Sequence, residues 1–129
     1  MSDRSPDWFR QAERDLAPAR EARASGRHEW ACFAAHQAAE KAARSLHLRL
    51  GQEARGHSVA KLLRELPPSH AAPETLVQKA MVLDSHYVPT RYPNGHSEGA
   101  PFEHYGEMQS ADGVSHAGEI VELVRPAMA

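Results

Sequence analysis

Apolar residues recur at spacings of three and four along most of the chain and never alternate with a period of two. The pattern predicts helices and no sheet. The first helix begins near Ser5. Ser5-Pro6 reads as an N-cap followed by proline in the first turn, and Asp7 suits the positive end of the helix dipole. Trp8, Ala12, Leu16 and Ala19 then share one side. Pro18 falls inside this pattern and lacks one helical N–H, which predicts a kink or a division. Ser25-Gly26 closes the segment. A second helix runs from about His28 to Leu50 with Gly51 as its stop. Its expected buried stripe is Trp30, Phe33, Ala34, Ala38, Ala42 and Leu46. Alanines at 31, 34, 35, 38, 39, 42 and 43 let neighbouring helices approach closely, as at a bundle centre or a dimer interface.

A loop containing Gly56 leads to a short helix from about Ser58 to Leu66, with Ser58 as N-cap and Val59, Leu62, Leu63 and Leu66 turned inward. Lys61 holds the third position, so no capping box forms. Pro67-Pro68 ends this helix. Pro73-Glu74 opens a fourth, with Leu76, Ala80, Leu83 and Tyr87 in line and Pro89 as its end. Residues 90–101, TRYPNGHSEGAP, have no apolar period and read as a long loop of the kind that is often functional. A last helix is expected from about Phe102 to Val124, with Met108, Ala111, Val114, Ala117, Val121 and Val124 on its inner side.

Composition sharpens this to an all-α domain covering residues 1–129. The chain holds 22 alanines and 12 arginines against 3 lysines, with 6% aromatic residues. Alanine and arginine are strong helix formers. The single cysteine, Cys32, excludes a disulfide framework and a zinc ribbon, and reads as a small core residue. No apolar run reaches the roughly 18 to 20 residues of a membrane span. The start, MSDRSPDW, has no apolar stretch of the signal-peptide kind, so the expected location is the cytoplasm with no membrane partner. Nine histidines are scattered without a metal-ligand spacing, Cys32 and His36 being the one Cys/His pair at helical distance. Neither a metal nor another cofactor is expected. The net charge of −2 is an average over unlike halves. Residues 1–66 carry 12 basic and 9 acidic side chains, residues 67–129 carry 3 and 8. These charges either attract one another within the fold or simply solvate helix faces, and the basic half could attract phosphate.

Several ordered features resemble the HEPN family of small helical domains. They are Trp8 followed by Asp15-Leu16, then Gln37-Ala38-Ala39-Glu40-Lys41, His57-Ser58 leading Leu62-Leu63, and finally Asp84, Tyr87 and Thr90-Arg91-Tyr92-Pro93. The resemblance implies a four- to five-helix up-and-down bundle, similar to the substrate-binding domain of nucleotidyltransferases and usually a homodimer. It also implies association with a separate minimal nucleotidyltransferase, and with nucleotide or RNA. Some members are metal-independent endoribonuclease toxins of toxin–antitoxin pairs, and others are non-catalytic dimerisation or interaction modules.

In catalytic members an arginine is followed, after four to six residues, by a histidine. Arg91 and His96 fit that spacing. Arginine can hold a phosphate through two hydrogen bonds, and a histidine can move the proton of a ribose hydroxyl. The chain departs from the family pattern at Tyr92, where catalytic members carry a polar residue, and Pro93 constrains the loop. A tyrosine that some toxins modify is replaced by Glu98. Without chemistry, Arg91 would pair with a carboxylate such as Asp84 and His96 would be an exposed loop residue. Asp15, Gln37, Lys41 and Tyr92 are the candidate substrate-binding residues. Gln37, Glu40 and Lys41 suit either a polar cluster beside the cleft or a network that fixes helix packing. Asp15, beside Leu16, requires a partner, and Lys41 or Arg91 would serve.

Overall fold

The computed structural model describes residues 3–129. Five α-helices carry the chain: α1 Ser5–Ala24, α2 His28–Arg49, α3 Val59–Arg64, α4 Glu74–Asp84 and α5 Glu107–Val124. Short 3-10 turns lie at Pro68–His70, Pro93–Gly95, Pro101–His104 and Arg125–Met128. No strand occurs among the described residues, and no helix there is long and apolar enough to cross a membrane. The four long helices alternate in direction. Gly113 lies beside Cys32 and Ala35, and Arg49 reaches Met128, so α5 runs parallel to α2. The ion pair Arg23–Glu107 joins the end of α1 to the start of α5, and Arg125, just past the end of α5, reaches back to Glu13 in the middle of α1, so the two helices are antiparallel. The connection after α2 doubles back along it: Arg44 donates to the carbonyls of Ala54 and Gly56, both at 2.7 Å. This is the all-α up-and-down bundle that the sequence implied.

The core is built on the alanines of α2. Ala31, Ala35, Ala38, Ala39, Ala42 and Ala43 are fully buried. Phe9, Ala12, Leu16 and Ala19 pack on them from α1, Leu76, Val77, Ala80 and Leu83 from α4, and Ala117, Ile120, Val121 and Val124 from α5.

Several expectations change at the level of single residues. Ser5 is not the cap of α1; Arg4 holds that position and the Asp3 carboxylate accepts the Ser5 N–H at 2.9 Å. Helix α1 continues undivided through Pro18, which faces solvent, where water can take the carbonyl it leaves free. Phe9 replaces Trp8 in the core. Trp30 lies outside, 49% exposed. Helix α4 stops at Asp84 rather than Pro89, and residues 85–91 form successive turns closed in part by Thr90 Oγ1 donating to the His86 carbonyl at 2.6 Å. Helix α5 starts at Glu107 and buries Ser110 and Gly113, leaving Met108 in solvent. Ser58 caps α3 as expected, accepting from the Lys61 N–H at 3.1 Å.

Candidate functional site

Helix α2 is covered round most of its circumference and left open along one stripe. Trp30, Phe33, Ala34, Gln37, Lys41 and Arg44 recur at helical spacing along its other side, and none is buried. Between this stripe and α1 the surface is grooved at two places, beside Trp30, Phe33 and Ala34 and beside Lys41. The turns after α4 and the segment that enters α3 reach the groove's other edge through Arg91 on Phe33 and His57 on Glu40.

Arg91 closes the aromatic end. Its guanidinium carbon lies 4.4 Å from the Phe33 ring centre, 4.7 Å from Tyr87 and 5.2 Å from Tyr92. Nε donates to the Tyr87 carbonyl at 2.9 Å, which fixes the plane of the group. No carboxylate pairs with Arg91 among the described residues. A half-buried cation held by aromatic faces keeps its remaining N–H groups for something else.

The expected alternative, Arg91 paired with Asp84, is not what the structure holds. Asp84 is committed to the start of α3, accepting from the N–H groups of Val59 and Ala60 at 2.7 and 3.1 Å and from Ser58 Oγ at 3.0 Å. The buried His36 donates Nε2 to Asp84 at 3.2 Å and to the His57 carbonyl at 3.0 Å. Burial pushes the Asp84 pKa up, but the donors from His36, Val59, Ala60 and Ser58 outweigh it and hold the carboxyl below its ordinary range.

Toward the other end the groove is polar. Asp15 takes Lys41 as its ion-pair partner and accepts from Gln11 at 2.8 Å. Gln37 is half-buried and reaches His36 Nδ1 at 3.3 Å. Arg4, Asp7, Trp8, Gln11 and Lys41 line a cavity of about 460 Å³ against α1. Arg44 lies over the Trp8 ring at 5.4 Å and pairs with Glu40 at 3.3 Å. The Glu40 side chain is only 8% exposed and accepts from His57 Nδ1 at 3.1 Å. The His57 ring in turn stacks on Tyr87 at 4.8 Å.

His96 turns elsewhere. Its Nε2 donates to the Pro89 carbonyl at 2.6 Å, and its ring lies flat on His104 at 4.0 Å. A carbonyl can only accept, so Nε2 carries the proton and Nδ1 keeps the lone pair. Gly95 allows this fold-back: a Cβ there would lie 2.8 Å from Pro89 Cα. Arg91 and His96 therefore share the expected spacing but no contact, one facing Phe33 and the other facing Pro89 and His104. Nearby His86 is buried; burial first, then His36 and His116, push its pKa down to about 4. Burial pushes the Cys32 thiol up to about 12, which makes it unreactive. Among the described residues no group of three or more His, Cys, Asp or Glu side chains is arranged to hold a metal ion.

The groove thus gathers Asp15, Gln37, Lys41, Arg91 and Tyr92 and leaves His96 outside their contacts. Glu40, offered by the sequence for a polar cluster, joins them, and Trp8, Phe33, His57 and Tyr87 are added. Trp8, Phe33 and Tyr87 lie at helical-face spacing, which reads as core. Nothing in the sequence linked His57 to Glu40, 17 residues away.

Comparison with known proteins decides the family. The HEPN domain profile matches residues 5–126. The chain belongs to the HEPN family. Its fold is that of TT1696 from Thermus thermophilus, a crystal structure with 42% identity and a TM-score of 0.94, the match covering 98% of this chain and 99% of that one. ST0689, an archaeal HEPN homologue, shares 40% identity over 100% of both chains with a TM-score of 0.83. An HEPN domain protein of Thermotoga maritima, TM0613, shares 30% identity with a TM-score of 0.74, covering 93% of this chain and 95% of that one. No curated protein matches the chain.

Proposed function

We propose that this HEPN protein is a nucleotide- or RNA-binding component that works as a homodimer with a separate nucleotidyltransferase, and that Arg91 is its phosphate contact. One observation carries this reading. Arg91 is held against Phe33, Tyr87 and Tyr92, and no carboxylate among the described residues pairs with it. A preorganised guanidinium flanked by aromatic faces suits a ligand with a phosphate and a flat base. Gln37, Tyr92 and the Asp15–Lys41 pair supply further polar contacts along the same groove. The endoribonuclease form of this reading gives His96 a role through Nδ1, the ring nitrogen that Pro89 leaves free.

The test is binding of a short labelled single-stranded RNA and of ATP, measured by fluorescence anisotropy at two salt concentrations. Arg91→Ala should weaken binding by about ten- to a hundredfold, as loss of a charge-assisted pair of roughly 1.5–3 kcal/mol requires. It should also flatten the salt dependence. Equal binding by wild type and Arg91→Ala would remove Arg91 from the site. Where the neighbouring reading frame encodes a small nucleotidyltransferase, co-expression with it should yield a complex on purification. The second reading, a non-catalytic interaction module, is favoured by the engagement of His96 with Pro89 and His104.

A further inference from the structure

We propose that His57, oriented by Glu40, is the acid–base group of the groove, and that the substrate is a ribose phosphodiester whose phosphate sits on Arg91. The inference rests on the RNA-binding reading above and adds a reacting residue to it. His57 donates Nδ1–H to Glu40 Oε1 at 3.1 Å. That bond fixes the tautomer and leaves the Nε2 lone pair outward, on a side chain that is 58% exposed. Glu40 itself is 8% exposed and held by Arg44, so the imidazole has a rigid anionic support. A buried carboxylate behind an exposed imidazole is the arrangement by which proteins orient a general base and stabilise its protonated form.

Position distinguishes the two histidines. His57 and Arg91 both lie against Tyr87, at 4.8 and 4.7 Å from its ring centre, whereas His96 is turned to Pro89 and His104. The charged groups around His57 are Glu40 and Arg44 of α2, Asp84 at the end of α4, and Arg91 in the turns beyond it. His36 touches its carbonyl.

The step balances without a co-reactant. His57 Nε2 takes the proton of the ribose 2′-hydroxyl. The 2′ oxygen bonds to phosphorus as the bond from phosphorus to the 5′ oxygen breaks. The departing 5′ oxygen, on the far side of phosphorus, takes a proton from water, and His57 then gives its own proton back to solvent. The products are a 2′,3′-cyclic phosphate and a free 5′-hydroxyl, with Arg91 on the non-bridging oxygens.

The experiment compares wild type, His57→Ala, Glu40→Gln and His96→Ala on a short RNA in EDTA, with the product ends identified and binding measured in parallel. Helical content and melting are recorded for each. The inference expects cleavage by wild type to cyclic phosphate ends and none of a 2′-deoxy substrate. Loss of a general base predicts a fall of about a hundredfold or more in His57→Ala, with binding kept within about threefold. Added imidazole should restore His57→Ala in part. Glu40→Gln should shift the acid limb of the pH–rate profile. His57→Ala cleaving at the wild-type rate would overturn the proposal whether or not Glu40→Gln folds. So would RNA bound by wild type but left intact, which leaves the binding reading standing. Absence of RNA binding by wild type would overturn both together.

Discussion

At Gly113 the packing of one residue sets the distance between two helices. A Cβ built there would meet the Ala35 Cβ at 3.7 Å and the Cys32 Cα and Sγ at 3.8 Å, all ordinary contacts. Alanine therefore fits, while anything longer must push α5 away from α2. Glycine inside a helix costs roughly 0.5–1 kcal/mol relative to alanine. Gly113→Ala should raise the melting temperature by a few degrees, and Gly113→Leu should lower it through overpacking of about 1–3 kcal/mol. Thermal denaturation followed by circular dichroism distinguishes them. A destabilised Gly113→Ala would mean that the two helices are already at their limit. The same site explains a misreading. Met108, Ala111 and Val114 are more apolar than Ser110 and Gly113, and hydrophobicity alone puts them inside. In the first half of α5 the alanine face of α2 instead takes Ser110 and Gly113 and leaves Met108 in water.

Among the elements, α3 depends most on a distant residue. Six residues are too few to form a stable helix alone. Its first turn is held by Ser58 and by Asp84, which accepts the Val59 and Ala60 N–H groups and ties α3 to the end of α4. Asp84→Ala leaves those donors without their acceptor and should cost about 1–3 kcal/mol. Urea titration of the two proteins should give this difference at pH 7. The sign of its pH dependence follows from the depressed pKa of Asp84. Its contribution is complete above the unfolded value, about 3.9, and is lost as pH falls through the lower folded value. The gap between the variants should therefore narrow only in strong acid; a gap that vanishes already at pH 6 would contradict it. The Ser58 cap and the helices of the bundle were legible from local spacing and turn chemistry. The Asp84 link was not, because it joins residues 24 to 26 apart through side chains whose meeting only the fold decides. The same holds for the groove. Arg91, Gln37, Lys41 and Asp15 could be picked out by resemblance, but the stacking of His57 and Arg91 on Tyr87 depends on α4 stopping at Asp84.

For the molecule as a whole, a small part of the uneven charge is paired between the two halves of the chain. Arg23 of the basic half meets Glu107 of the acidic half at 2.5 Å, at the surface, where such a pair contributes about 1 kcal/mol or less. The apolar surface finds none. Trp30 is 49% and Tyr92 52% exposed, with Phe33 between them in the chain of aromatic contacts. Trp30 and Phe33 edge a cavity of about 670 Å³ against α1. Under the proposed homodimer, a second copy covers this face. A stable interface buries roughly 600–1,000 Å² on each partner. The protomer exposes 7131 Å², so about a tenth of its surface would suffice. A central tryptophan typically contributes about 2–4 kcal/mol to such a contact, which weakens the dimer some thirtyfold to a thousandfold when removed. Trp30→Glu should therefore sediment as a monomer at concentrations where wild type is a dimer. Its helical content should be unchanged, because the side chain lies outside the core. Met81→Glu, in the separate groove between α3 and α4, alters a residue of equal exposure and should leave the dimer intact. The arrangement also links assembly to binding, since Arg91 stacks on the Phe33 that touches Trp30. A two-fold axis at Trp30 would bring two Arg91 side chains toward one cleft, and RNA affinity should fall with the dimer in Trp30→Glu. A monomeric Trp30→Glu that binds RNA as tightly as wild type would separate the two faces, and a wild type that sediments as a monomer at every concentration would end the dimer proposal.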